Sequence, residues 1–574
     1  MRARRGARAS ARAVRVLIAA LIGLLGLLGQ GGQGGQGGWG GFGGLGRLAH
    51  ADIDFKFGGF VSSDLRYRLA GADVPSPYPQ QYELLRNGFS RNQNRVRANL
   101  SLRAARKVAA VADVELVYYG YSDANDVNAV TLRERVDPYF FEAYSAYVDI
   151  YRLLPGLDVR LGRQVVHWGA SDQFNPTNNL NTLDYSDPLL FGRALGNQMI
   201  RADWNPKGDW VLTAVWVPIF RPAQIPRTAP LALTQIDRPA PVQEAGVRDT
   251  LSSLAVLQPP TRIDASTLQP RPSLSNTQVG VRLAGRVLGQ DFSLSYYRGR
   301  FGIPVPAWTV NRADGVAQAG VVWPRMTVLG ADLAGSIEKL HGIGYWIEGA
   351  VTFPQEITYG IYNDNPLLGG NHTPVTFDPQ GRLIQGDGGK RPVVVPSTPF
   401  FKLTVGADYS IGEHVYLNAQ YLHGFIDEFG AGVAVRLPRY GPGSPASPGA
   451  QPKDFVPRIE QRIGDYFVTG VDLRFRGGTV LTRFFGVFKV PSPNPRFNPS
   501  APECATAQSD LFPNCRRFDD RRFTAVLFPQ LIWQVWDSTE LTLGAFVFLG
   551  DRSTKFGDPA AGATELFAKA KFTF

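Results

Sequence analysis

Beyond its first fifty residues this chain alternates apolar and polar side chains over stretches too long for an ordinary globular strand. Phe401, Leu403, Val405, Ala407, Tyr409 and Ile411 interleave with Lys402, Thr404, Gly406, Asp408 and Ser410. Residues two apart in an extended chain share a face, so one face is apolar and the other polar. Segment 92–106 sets Val96, Ala98, Leu100 and Leu102 against Arg95, Arg97, Asn99, Ser101 and Arg103. Segment 463–476 sets Val471, Leu473 and Phe475 against Asp472, Arg474 and Arg476. Globular strands mostly run about 5–6 residues, whereas about 9–11 residues tilted by roughly 45° cross a bilayer. Charges in mid-strand are out of place in a sandwich core and suit a water-filled lumen.

Strand candidates fall near 53–68, 92–106, 108–121, 139–152, 157–168, 197–206, 209–217, 275–287, 290–299, 322–336, 342–353, 400–411, 414–425, 463–476, 479–489, 523–536, 538–549 and 563–574. Their connections alternate in length. Lys207-Gly208, Gly289-Gln290, Gly412-Glu413, Gly477-Gly478 and Asp537-Ser538 are short, while 169–196, 218–274, 354–399, 426–462 and 490–522 are long. Short periplasmic turns alternating with long extracellular loops are what outer-membrane barrels show. The expected fold is therefore all-β: a transmembrane antiparallel β-barrel of about 18 strands, in the 16–18 class that leaves an aqueous lumen. No run of 18 apolar residues follows the first 30 positions, so helical spans are excluded from the mature chain.

Residues 2–15 carry six arginines and no acid, Val14 to Leu28 is an apolar run, and Ala49-His50-Ala51 offers small residues for cleavage. Residues 1–51 thus read as a secretory signal peptide with a Gly/Gln-rich tail, leaving 52–574 as a single barrel domain. Removing the seven arginines of that segment lowers the formal charge from +11 to +4, and nucleic-acid binding loses its main support. Cys504 and Cys515 lie in one Pro-rich segment, and export favours a local disulfide between them. Tyr118, Tyr119, Tyr139, Phe140, Trp168, Trp204, Trp210, Trp216, Trp533 and Trp536 sit near strand ends, where amphipathic rings suit a membrane interface.

The closing stretch sets Leu566, Ala568, Ala570, Phe572 and Phe574 against Glu565, Lys569, Lys571 and Thr573. It resembles the terminal strand of bacterial outer-membrane barrels. That resemblance implies recognition of the C-terminal Phe574 by the barrel-assembly machinery, and contact with outer-membrane lipid and lipopolysaccharide. Arg160-Leu161-Gly162-Arg163-Gln164-Val165-Val166-His167-Trp168-Gly169 resembles a strand-to-loop stretch in alginate-export-type porins and related uncharacterised porin-like families. It implies a porin-like barrel in the bacterial outer membrane more strongly than it implies a substrate.

Catalytic and cofactor signatures are missing. No HExxH, CxxC, GxSxG or P-loop pattern occurs, so neither a metal, a cofactor nor a nucleophile elbow is indicated. Asp184, Asp187, Asp364 and Asn365 have poor calcium-ligand spacing and read as solvated loop carboxylates. Alternation points Arg95, Arg97, Arg103, Arg201, Arg282, Arg286, Lys402 and Arg474 inward, together with Asp113, Glu115, Asp203, Asp332, Glu348, Asp408 and Asp472. On 157–168 parity breaks, with Arg160 and Gln164 on one face, Arg163 and His167 on the other, and Gly162 placed to mark a bulge. Such a mixed-charge lining would order polar solutes and set ion preference, or simply hydrate the lumen and pair across strands. The Pro-rich connection 218–274 is expected to fold into the pore or to shield its rim.

Three functions fit. The first is a non-enzymatic porin-like channel for small polar solutes. The second is a plugged structural or surface-recognition barrel whose loops bind partners. The third is an embedded hydrolase with a nucleophile and base meeting across the lumen.

Overall fold

The computed structural model describes residues 53–69, 87–226, 262–363, 373–377, 383–385, 393–395, 399–429, 435–436, 458–459, 463–490, 523–550, 554–557 and 562–574, apart from short breaks inside these ranges. The signal segment 1–51, Cys504, Cys515, Asp364, Asn365 and residues 227–261 lie outside them.

Eighteen antiparallel strands form one closed sheet. In chain order they are β1 (Ile53–Arg68), β2 (Gly88–Ala104), β3 (Val108–Tyr119), β4 (Tyr139–Leu154), β5 (Leu157–Gln164), β6 (Asn197–Trp204), β7 (Val211–Val217), β8 (Gln278–Val287) and β9 (Gln290–Arg300). There follow β10 (Arg325–Ile337), β11 (Ile343–Pro354), β12 (Phe400–Ile411), β13 (Val415–His423), β14 (Asp465–Phe475), β15 (Val480–Lys489), β16 (Thr524–Trp536), β17 (Thr539–Gly550) and β18 (Glu565–Thr573). Every strand pairs with its neighbours in sequence, and β18 closes on β1 with Lys571 opposite Ser62. Closure removes both free edges, so each backbone donor and acceptor inside a bilayer finds a partner strand. The seam extends one residue past β18, where the Phe574 N–H donates to Gly59 O and the Gly59 N–H to Phe574 O, at 3.0 and 2.9 Å.

Two faces follow from the register. Val61, Leu65, Val96, Ile200, Leu329, Val405, Phe484 and Leu543 are exposed on the outside. The alternate residues, among them Ser62, Gln93, Glu115, Ser293, Glu348 and Thr404, are buried inside. Polar groups hidden and apolar groups displayed is the reverse of a soluble protein, and it fits a lipid surround. Among the described residues no helix is long and apolar enough to cross a membrane. Beyond the barrel, the long connections build a second sheet of nine strands among the described residues, in which Trp308–Asn311 runs parallel to Gly360–Asn363.

Two sequence expectations are corrected. Strand β5 ends at Gln164 rather than at 168, because Val166 and Trp168 turn into the lumen. Trp168 is only 3% exposed, packed with Leu180, Met199, Val217 and Tyr297, so it is no interface ring. Trp204, Trp210, Trp216, Trp533 and Trp536 are exposed, as an aromatic belt requires.

Candidate functional site

The connection 165–196 folds into the lumen and spreads over its wall. It makes two excursions from the β5–β6 edge. The first carries Phe174 to a cluster with Leu422, Phe425, Tyr466, Val468 and Val487 on the far wall. The second carries Asp187 to Arg66 on β1 and Arg91 on β2, at 2.6 and 3.0 Å. The two excursions touch each other, since Gln173 donates to Leu190 O and the rings of Phe174 and Phe191 lie 5.8 Å apart. The second excursion is a short hairpin in which Thr182–Asp184 pairs with Arg193–Leu195, with Asp187 in its connection. The described part of 218–274 supports this hairpin from outside, through Gln224 backbone bonds to Leu183 and Tyr185. Among the described residues, 165–196 lies inside the lumen; residues 227–261 of the connection 218–274, expected to fold into the pore or to shield its rim, lie outside the described residues.

Glu348 on β11 anchors the first excursion. Its side chain is fully buried. One carboxylate oxygen accepts from the Ala170 and Ser171 N–H groups, both at 3.0 Å, and from Asn175 Nδ2 at 3.2 Å. The other accepts from the Thr177 N–H at 2.9 Å and its hydroxyl at 2.7 Å. A charge removed from water needs such a shell of donors. Gly169 has φ 91°, and a Cβ there would lie 2.4 Å from the Glu348 carboxylate, so only glycine admits this approach. Next to it, Thr404 on β12 donates to Phe174 O at 2.8 Å and is 1% exposed.

The inward-facing charges form local pairs. Arg97 Nε donates to Asp113 at 2.7 Å in a bidentate pair, while Arg95 lies 3.6 Å from Glu115. The register brings all four together, with Arg97 opposite Glu115 and Asn99 opposite Asp113. Arg193 of the lumen loop joins them, 3.5 Å from Glu115. Elsewhere the pairs are separate. Arg160 meets Asp149, Arg201 meets Asp203, Asp472 meets Arg483, and Arg282 lies 3.5 Å from Asp332. Arg286 and Asp291 pair in an exposed position toward the short turns. Asp408 accepts from Tyr416, and Arg103 lies over the Tyr151 ring. Gln164 is buried and donates to Met199 O, Lys402 donates to Phe425 O, and Arg474 lies on the inner face opposite Leu481 in a register one step from Asp472–Arg483. Gly162 has φ 126°, but β5 pairs through it on both sides without a register shift, so the expected bulge is absent there, and Arg163 beyond it reaches Glu142 at 2.6 Å.

Sequence reading missed Arg66, Arg91, Glu142, Asp149, Asp187 and Arg193. Arg66 had a signal, because Asp64, Arg66 and Arg68 alternate with Leu65 and Tyr67. The loop residues had none, since only the loop's path brings them to the wall. Asp187, expected to be solvated, is buried between two arginines. Among the described residues no cluster could hold a metal ion.

Residues 52–432 match a family described as "Protein of unknown function (DUF1302)". This match does not establish the alginate-export-type resemblance of the Arg160–Gly169 stretch. No curated protein matches the chain. Among solved structures, Pseudomonas aeruginosa OccK8 (OprE) is similar at a TM-score of 0.42 and 10% identity, over 91% of this chain and 98% of that one. Acinetobacter baumannii OccAB1 is similar at 0.41 and 9%, over 92% and 99%. A mutant Rh. blastica porin is similar at 0.33 and 10%, over 91% and 100%.

Proposed function

The chain belongs to the protein-of-unknown-function family DUF1302, and from that footing we propose that it is a porin-like channel of the bacterial outer membrane, narrowed by loop 165–196. The observation that carries the reading is a closed 18-stranded barrel with an apolar exterior and a charged interior. A barrel of that size has room for an aqueous path. In this reading small polar solutes pass along the paired charges, and Arg95, Arg97, Asp113, Glu115 and Arg193 bias which ions do so. The wall–loop pairs give the passage fixed dipoles that need no reorganisation as a solute moves by. The apolar exterior suits membrane lipid and lipopolysaccharide, and the sealed seam at Phe574 suits recognition by the assembly machinery.

A second reading, a plugged barrel whose outer loops bind partners, draws on the loop's contacts with both sides of the wall and on the nine-stranded loop sheet. Planar-bilayer recording separates the two. Wild-type protein that conducts in discrete steps, with larger steps after excision of 170–176, supports the channel. Conductance only after excision supports the plug. Silence in both refutes the channel.

A further inference from the structure

The long-loop ends of β8, β9, β10 and β11 collect arginines and no acids. Segments 269–281, 294–305, 321–331 and 349–355 contain no Asp or Glu. Arg300 at the end of β9 stands directly opposite Arg325 at the start of β10, and like charges in that position repel. Neither meets a carboxylate among the described residues. Both guanidiniums donate instead to one neutral oxygen, Asn276 Oδ1, at 2.7 and 3.0 Å, and Arg325 also reaches Ser275 O at 3.2 Å. Asn276 ends a short turn, Leu274–Asn276, ahead of β8, so that turn holds Arg325 in place. Arg298 lies one diagonal step away, opposite Thr327. It is exposed and has no hydrogen bond or ion pair among the described residues.

The register shows what this group faces. Trp216, Val279, Arg298, Thr327 and Phe353 align in one row from β7 to β11. Trp216 and Phe353 are exposed, which marks the row as part of the aromatic belt. One step toward the short turns, the same face carries Val281, Tyr296 and Leu329, all exposed and apolar, as the hydrocarbon region requires. Arg325 lies one step the other way, on the water side of the belt, and is exposed as well. Two arginines therefore sit at headgroup depth above a surface on which acyl chains can lie. A guanidinium presents five N–H donors in a planar fork that fits phosphate oxygens. Arg298 offers all five, and Arg325 spends only Nη2 on the protein.

We propose that Arg298 and Arg325 bind the phosphate groups of a lipid headgroup in the outer leaflet, with its acyl chains against Tyr296 and Leu329 and with Arg300 adding charge behind them. The site rests on the outer-membrane reading of the barrel and not on conduction. Lipid retention is measured without ion flow, so a silent barrel can retain the lipid and a conducting one can fail to.

The test is native mass spectrometry of the full-length chain released from detergent micelles. It is titrated with bisphosphorylated lipid A, the monophosphorylated form and a zwitterionic phosphatidylcholine. Retention should fall in that order. Arg298→Gln should weaken binding of the bisphosphorylated lipid about fivefold, and Arg298→Gln with Arg325→Gln about twenty-five-fold, the ratio that corresponds to about 1 kcal/mol per arginine near a charged membrane surface. Lys339→Gln, in the short turn between β10 and β11, should leave it unchanged. Arg298 bonds to nothing, so its single variant decides the matter should the double variant fail to fold. Wild-type affinity in Arg298→Gln, equal retention of phosphatidylcholine, or an equal loss in Lys339→Gln overturns the proposal. Millimolar inorganic phosphate should leave the lipid bound; displacement would show that these arginines capture free phosphate, and would overturn the lipid assignment.

Discussion

Replacing Glu348 with glutamine changes one oxygen for an NH2 and leaves the volume alone, so it tests whether a single carboxylate holds the lumen loop. Five donors converge on the native side chain. Glutamine keeps one oxygen, which the three donors from Ala170, Ser171 and Asn175 would retain. Its amide then faces Thr177, whose hydroxyl can turn round and accept, but whose N–H cannot. One buried N–H left unsatisfied costs about 1–3 kcal/mol, and three bonds weakened from charged to neutral add about 0.5–1 each. The sum is about 2.5–6 kcal/mol on loop opening, with the barrel ladder untouched. At 1.4 kcal/mol per tenfold, amide hydrogen exchange at Ala170, Ser171 and Thr177 should accelerate by about 10²–10⁴, while amides of β11 and β12 hold their rates. Open-channel noise should rise in the same variant. Unchanged exchange at Thr177 would refute the anchoring argument, and equal acceleration across β11 would show that Glu348 supports the wall instead.

Val405 is 37% exposed on the outer face, so Val405→Arg should cost about 2–4 kcal/mol if near the midplane, read from reversible denaturant unfolding in lipid vesicles. Face alternation alone would let Thr404→Arg pass, but its burial under Phe174 O predicts a different lesion: a barrel of near-normal stability whose loop amides exchange fast. Arg95→Glu with Arg97→Glu gathers four acids on one wall and should shift the reversal potential toward cations in bilayers; an unchanged potential would place the limiting section away from this wall. Deleting Phe574 removes both seam bonds to Gly59 and the ring contact with Phe57, and should lower the heat-modifiable, folded fraction on gels; a normal yield of folded barrel would show that the seam closes without it.

The barrel was legible in the chain because a strand in a wet-cored, lipid-clad wall must obey period two at every step. Asp472, Arg474 and Val471 declare their faces without reference to any partner. Consecutive antiparallel pairing then needs only short turns such as Asp537-Ser538, so strand number and neighbours follow from local pattern. Even the Arg95–Arg97–Asp113–Glu115 group was foreseeable, since one tight turn sets the register of β2 against β3. The lumen contents were not. Loop 165–196 has no periodicity, and its course depends on Glu348, more than 170 positions away in sequence, and on Arg66 and Phe425 on other parts of the wall. Whether Asp187 is solvated or clamped between arginines and whether Trp168 meets lipid or core are both questions of what closure places opposite them. Alternation fixes which way a side chain points; only the closed barrel decides what it meets there.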